Sequence, residues 1–148
     1  MPRGRRALPE GCLQVLRTAS LILHVGDLTS RQVLDELAGY AAVEAVHGNM
    51  DGPQLAALLP ERRVVETVDG LRIGLVHDPG AGPARHERLV GWFPGCDVVA
   101  YGHTHAPEVT RHRGVWIVNP GSPTERRRSS SHSLAVIRER VPELVLLD

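Results

Sequence analysis

Five side chains able to hold a cation stand at or just beyond the ends of apolar runs: Asp27, Asn49, His77, His103 and His105. The most informative stretch is Tyr101-Gly102-His103-Thr104-His105, reached through Asp97-Val98-Val99-Ala100. A short β-branched run that closes on Gly and two alternate histidines reads as a buried strand whose C-terminal tip carries polar work. Residues two apart in extended backbone point the same way, so His103 and His105 can lean over one spot. Neutral imidazoles sharing a spot suit a divalent transition metal. Taken singly, each feature has a plainer reading: an H-x-H is two solvated loop histidines, Gly26-Asp27 and Gly48-Asn49 are turns, and His77-Asp78 caps a helix. Their succession at four strand ends favours a shared site. Carboxylate, amide oxygen and imidazole form a hard-to-borderline donor set, fitted to manganese, iron or zinc rather than calcium. Asp27 is the sole carboxylate in the set and the natural bridge if two ions share it.

The elements that must position these residues follow in order. Residues 21–25 form the first convincing strand, then Thr29 or Ser30 caps a helix over 31–40 with Val33, Leu34 and Leu37 on one stripe. A second strand, 43–46, runs into His47-Gly48-Asn49-Met50-Asp51, and a short helix over 53–59 is stopped by Pro60. Asp69-Gly70 between 64–68 and 71–76 signals a hairpin whose second arm ends at His77. Residues 85–92 read as an amphipathic helix, 109–111 and 115–118 as a hairpin around Arg113-Gly114. The polar stretch 125–131 reads as a mobile loop, and 132–138 and 143–147 as closing strands around Pro142. A helix over 13–18 precedes all of these. Parallel strands present their C-terminal tips on one edge, where ligands bind. Strands alternating with helices, then hairpins, give a layered α/β domain with mixed sheets.

A chain of 148 residues fits one domain with a substantial core. Its 42% hydrophobic and 23% charged residues are those of a globular protein, and its net charge of zero argues against a general nucleic-acid or anionic-membrane binder. No run is long enough to span a bilayer, and the basic start, Met1-Pro2-Arg3-Gly4-Arg5-Arg6, lacks the apolar segment of a signal peptide. Cys12 and Cys96 make neither a metal-type pair nor a disulfide framework, so a cytoplasmic location is expected. All 17 basic residues are Arg, and Asn occurs only at 49 and 119.

Gly26-Asp27, Gly48-Asn49-Met50-Asp51, His77 and Gly102-His103-Thr104-His105, in that order, resemble the calcineurin-like metallophosphoesterases. The similarity is to the small bacterial and archaeal phosphodiesterases related to the retromer's phosphoesterase-like subunit. It extends to Asn119-Pro120-Gly121-Ser122 and the closing strands. The resemblance implies a four-layer α/β/β/α sandwich of two mixed sheets binding two divalent ions, manganese first, with iron, zinc or nickel as alternatives. Asp27 would bridge both ions, Asn49, His77 and His103 would complete the second, and His105 would belong to the first. A metal-bound water, its pKa lowered to about 7, would attack phosphorus in line and hydrolyse a small-molecule phosphodiester or phosphomonoester.

The chain departs from that family in two places. The family opens with a strand ending in Asp-x-His that completes the first ion, and no Asp or His precedes His24 here. The simplest reading is that the chain begins one strand late, with Met1-Pro2-Arg3-Gly4 as the loop after it and the Met1 amine near the first-ion position. The first ion then has only Asp27 and His105, fewer than the three protein ligands of an open catalytic site, so at most one ion is firmly held and catalysis suffers. Losing that strand exposes its sheet neighbours and invites aggregation. Second, many relatives carry His where Met50 stands, and a thioether cannot donate a proton to a leaving group. His47, His24 and His86 qualify only by type; His24, mid-strand, reads as buried and hydrogen-bonded. His112 and His132 read as surface residues, Asp51 as a helix cap, and Arg126, Arg127 and Arg128 as a solvated loop rather than a phosphate steer. Among rivals, an amidohydrolase barrel needs more than 148 residues, and His77 ends a strand pattern unlike the helical His-Asp phosphohydrolases. The remaining alternative is a non-catalytic scaffold with a degraded site. A homo-oligomer is compatible with the composition.

Overall fold

A computed structural model describes residues 7–127 and 129–147; the readings placed on residues 1–6 and on Arg128 lie outside them. The elements run α1 Glu10–Thr18, β1 Leu21–His24, α2 Arg31–Ala38, β2 Ala42–Ala45, α3 Pro53–Leu58, β3 Arg62–Glu66, β4 Arg72–Val76, α4 Arg85–Trp92, β5 Val98–Tyr101, β6 Glu108–His112, β7 Val115–Asn119, β8 Ser133–Arg138 and β9 Val141–Leu146. This is a mixed α/β fold, and its strands pair in three groups. A five-stranded mixed sheet has the order β3-β4-β5-β7-β6, β1 and β2 pair in parallel, and β8 and β9 pair antiparallel.

Three apolar clusters connect these groups. Helices α1, α2 and α3 pack Cys12, Leu16, Val33, Leu37 and Leu55 against Ile22 and Ala45 of β1 and β2. The opposite sides of β1, β2 and β8 present Leu21, Leu23, Val46, Ala135 and Ile137 to Ile73, Leu75, Val98, Ala100 and Val118 of the large sheet. On that sheet's other face, α4 buries Leu89 and Phe93 against Val76, Val99, Tyr101 and Ile117. Val98 to Tyr101 are buried at every position because both faces of β5 are covered, which is why this strand reads as an unbroken apolar run.

Register then delivers the site residues. β4, β5 and β7 are parallel, with Val76 opposite Tyr101 and Ala100 opposite Val118. The residues that follow, His77, Gly102 and Asn119, therefore emerge on one edge. A bond from the Gly102 amide to the His77 carbonyl (3.0 Å) extends the ladder past the strand tips. β1 and β2 are parallel too, with His24 opposite Ala45, so Asp27 and Asn49 leave their strands together.

Local differences from the sequence reading have simple causes. α1 begins at Glu10, earlier than residue 13, because Pro9 is compatible with a helix start and Glu10 pairs with Arg17 at 2.8 Å. Ser30 rather than Thr29 caps α2, accepting from the Val33 amide at 3.3 Å. The last hairpin turns at Glu139-Arg140, not around Pro142, which lies within β9 opposite Ile137. Glu139 and Arg140 have φ of 50° and 69°, the left-handed pair of a tight hairpin turn, here made without Gly or Asn. A proline is tolerated in a strand that has a partner on one side only.

A cavity of about 490 Å³ lies between β1 and β8, lined by Leu21, Leu23 and Val25 on one side and Ala135 and Ile137 on the other. Asp27, His77, His103 and His105 also line it. Among the described residues, no helix is long and apolar enough to cross a membrane.

Candidate metal centre

Four of the five expected residues meet. His77 Nε2 lies 2.8 Å from Asn49 Oδ1, 3.4 Å from Asp27 Oδ2 and 3.3 Å from His103 Nδ1. His103 Nδ1 is also 3.3 Å from Asn49 Oδ1, and the two imidazoles stand edge to face at 82°. Asp27 and His77 are buried, whereas Asn49 faces solvent, so the cluster is rooted in the core and open at its outer side.

A backbone carbonyl orients the His77 ring. His77 Nδ1 sits 2.8 Å from the Val25 carbonyl, which can only accept, so the ring proton is on Nδ1. His77 Nε2 then faces an amide oxygen, a carboxylate oxygen and a second imidazole nitrogen, a set that could surround a cation. Ligand bonds of about 2.0–2.2 Å place neighbouring donors of one ion about 3 Å apart, and the separations here run from 2.8 to 3.4 Å. Among the described residues, no three His, Cys, Asp or Glu side chains are by themselves arranged to hold an ion. The Asn49 amide oxygen, central to the cluster, is what turns two histidines and one aspartate into a set that could hold one.

His105 does not join that hydrogen-bonded group. Its Nδ1 donates to the Glu125 carbonyl at 3.0 Å, leaving Nε2 as the lone-pair nitrogen beside the cavity. Burial first, and the Arg127 guanidinium next, push its pKa below the ordinary imidazole value, which keeps the ring neutral.

Backbone geometry at the site is unusual. Asp27, His103 and His105 have φ of 59°, 68° and 58°, in the left-handed region that costs an L-residue of order 1–3 kcal/mol. Tertiary bonds hold them there. Asp27 Oδ1 accepts from the Met50 amide at 2.7 Å, which leaves Oδ2 for the cluster. The glycines leave space inside the cluster: a Cβ at Gly48 would overlap the Asp27 carboxylate and backbone nitrogen, and one at Gly26 would strike the His77 ring. Their missing side chains make room for the cluster's own residues.

Several positioning residues escaped sequence reasoning. Asp51 does not cap α3, whose N-cap Gly52 has no side-chain bond. Its carboxylate instead accepts from the amides of Asp27 (3.1 Å), Thr29 (2.8 Å) and Gly48 (2.7 Å), tying the loop after β1 to the loop after β2. Asn119, fully buried, donates to Thr104 Oγ1 at 2.9 Å and accepts from the Gly121 amide at 2.9 Å, bracing the loop that carries both histidines. Its rarity in the sequence was the available signal. The stretch expected to be a solvated loop reaches the site: Glu125 meets His105, and Arg127 Nη1 donates to the His103 carbonyl at 3.0 Å.

Of the candidate acids by type, His24 and His86 are committed to other partners. His24 is hydrogen-bonded as expected, its Nδ1 accepting from the Gly26 amide at 3.2 Å. Desolvation drives its pKa down to about 3, so it is a neutral brace for the Gly26-Asp27 turn. His86 sits on α4 against Glu108 at 2.8 Å, and His112 pairs with Glu87 at 2.8 Å.

Comparison with known proteins identifies the family. Residues 4–140 match the calcineurin-like phosphoesterase superfamily domain. A probable metallophosphoesterase of Methanothermobacter thermautotrophicus is 37% identical over 140 residues, which is 93% of this chain and 80% of that protein. Among solved structures, Vps29 of Entamoeba histolytica complexed with zinc has a TM-score of 0.74 at 24% identity, covering 100% of this chain and 94% of that one. A novel archaeal phosphodiesterase has a TM-score of 0.69 at 21% identity, covering 91% of this chain and 87% of that one. The chain belongs to the calcineurin-like phosphoesterase superfamily.

Proposed function

We propose that this chain is a divalent-metal-dependent hydrolase of small phosphoesters, with phosphodiesters as the preferred class and manganese as the working ion. The observation that carries the reading is that His77 Nε2 lies 2.8 to 3.4 Å from Asn49 Oδ1, His103 Nδ1 and Asp27 Oδ2 on the strand-tip edge. These four would hold one ion. Asp27 would bridge to a second, for which His105 is the other donor this chain supplies among its described residues. Two protein donors are fewer than an open catalytic site keeps, so one firmly held ion and weak turnover are expected of these residues.

A divalent ion bound there supplies Lewis acidity and lowers the pKa of water into the neutral range. The chain's own groups set the rest. Val25 fixes the proton of His77 on Nδ1, and Glu125 fixes that of His105, so both rings offer a lone pair. The Met50 amide orients the Asp27 carboxylate. The exposed Met50 thioether has no proton to give, so protonation of the leaving group falls to another donor or to water. Two free, buried cysteines suit a reducing cytoplasm.

The test is bound manganese per chain together with hydrolysis of bis(p-nitrophenyl) phosphate and p-nitrophenyl phosphate. The expected result is one ion and slow, diester-preferring turnover. Two firmly held ions per chain would defeat the two-donor argument. Failure of the parent chain to bind any ion would shift the reading to a non-catalytic scaffold.

A further inference from the structure

The loop that follows β7 is fastened to the histidine loop at three points. Asn119 holds Thr104, the Glu125 carbonyl holds His105, and Arg127 Nη1 holds the His103 carbonyl. The first two contacts shape the loop and set a tautomer. The third needs a different explanation, because an exposed arginine gains little by bonding one carbonyl.

What it is anchored to differs from the anchors of other arginines on the surface. Arg113 pairs with Glu87, and Arg140 lies near both Asp69 and Asp97. Arg126, its immediate neighbour, bonds back into its own loop at the Ser130 carbonyl (3.2 Å). Arg127, like Arg88 and Arg126, bonds a neutral carbonyl that leaves its positive charge uncancelled, but its carbonyl belongs to a cluster residue. Its own backbone takes a left-handed turn (φ 50°) to reach that position. A guanidinium has five N–H donors in a planar fork matched to two oxygens of a phosphoryl group. One donor anchors it here, and the remaining ones are available beside a cluster that contains a single carboxylate.

We propose that Arg127 is a substrate-binding residue that grips the non-bridging oxygens of the phosphoryl group at the Asp27–Asn49–His77–His103 edge, with the His103 carbonyl as its anchor. The proposal rests on the phosphoester reading above. It assigns to the 119–127 loop the task of recognising the charged part of the substrate, and it leaves ion binding to the four donors.

The test is isothermal titration of inorganic phosphate into the manganese-loaded protein, with Arg127→Ala, Arg127→Lys and Arg126→Ala as variants. Arg127→Ala is expected to weaken phosphate binding on the order of 10- to 100-fold, and Arg127→Lys by less, since an ammonium keeps charge without the fork. Arg126→Ala is expected to bind phosphate within about twofold of the parent, and all three variants to keep their manganese affinity within the same margin. Phosphate binding as tight in Arg127→Ala as in the parent would overturn the proposal, as would an equal loss in Arg126→Ala or a parent that binds no phosphate. A parent that binds phosphate through Arg127 yet hydrolyses neither chromogenic ester would refute the hydrolase reading and leave Arg127 as an anion-binding residue.

Discussion

The Asp51 carboxylate accepts a 3.1 Å hydrogen bond from the backbone amide of Asp27, a residue 24 positions earlier in the chain. The same carboxylate takes the amides of Thr29 and Gly48. The loops that carry Asp27 and Asn49 are thus positioned by one side chain that belongs to neither strand. Asp51→Ala strands three amides at once and is expected to cost about 2–4 kcal/mol in urea unfolding. Manganese affinity should fall on the order of 10- to 100-fold with it. A variant that unfolds at the parent's urea midpoint would show that water replaces the carboxylate without loss.

If the proposed site holds the ion, metal binding and fold stability are linked through Asn49. Manganese at a hundred times its dissociation constant should stabilise the folded chain by about 2.7 kcal/mol, read as a rise in the thermal midpoint that EDTA reverses. Asn49→Ala removes the oxygen that joins both imidazoles. Most of that rise should vanish in the variant. If Asn49→Ala responds to manganese as the parent does, the ion sits elsewhere.

His24 gives a pH dependence with a definite sign. Its folded pKa is about 3, against the ordinary imidazole value of 6.5. The unfolded chain therefore binds a proton that the folded chain refuses. Stability from this residue is intact above pH 6.5 and drains away as pH falls toward 3. His24→Asn, whose amide oxygen can still accept from the Gly26 amide, should flatten the decline between those values. An unchanged acid-unfolding profile would assign the sensitivity to other groups.

Thr29 is a β-branched residue at φ 73°, a conformation such side chains rarely take. Thr29→Gly keeps the amide that bonds Asp51 and relieves the strain. The expected gain is about 1 kcal/mol, or roughly 2–6 °C in the thermal midpoint. A loss of stability would mean that the hydroxyl contact to the Leu28 carbonyl (2.6 Å) outweighs the backbone cost.

The sequence made the donors legible because each follows an apolar run whose period marks a strand, and parallel strands must end together. Asp27, Asn49, His77 and His103 could be read for that reason, and His105 as a neighbour on the same cavity. Asp51 was read as a cap because Asp before Gly-Pro is a good local start for a helix. Its real partners are amides up to 24 positions away, which no local pattern encodes. The Glu139-Arg140 turn was missed for a related reason: two left-handed residues without Gly or Asn leave no mark, and Pro142 offered a false one. Arg127 looked like part of a solvated run because the charge pattern of 125–131 says nothing about which arginine reaches the His103 carbonyl.

The left-handed backbone at Asp27, His103 and His105 limits what mutation can put there before any chemistry is asked of the side chain. Small, locally hydrogen-bonding residues or glycine fit those angles, and valine, isoleucine or threonine do not. In a saturation library, bulky branched replacements at these three positions should therefore disappear from the pool of abundant protein, not merely from the pool of active protein. The shape of the chain guards these sites independently of whatever they bind.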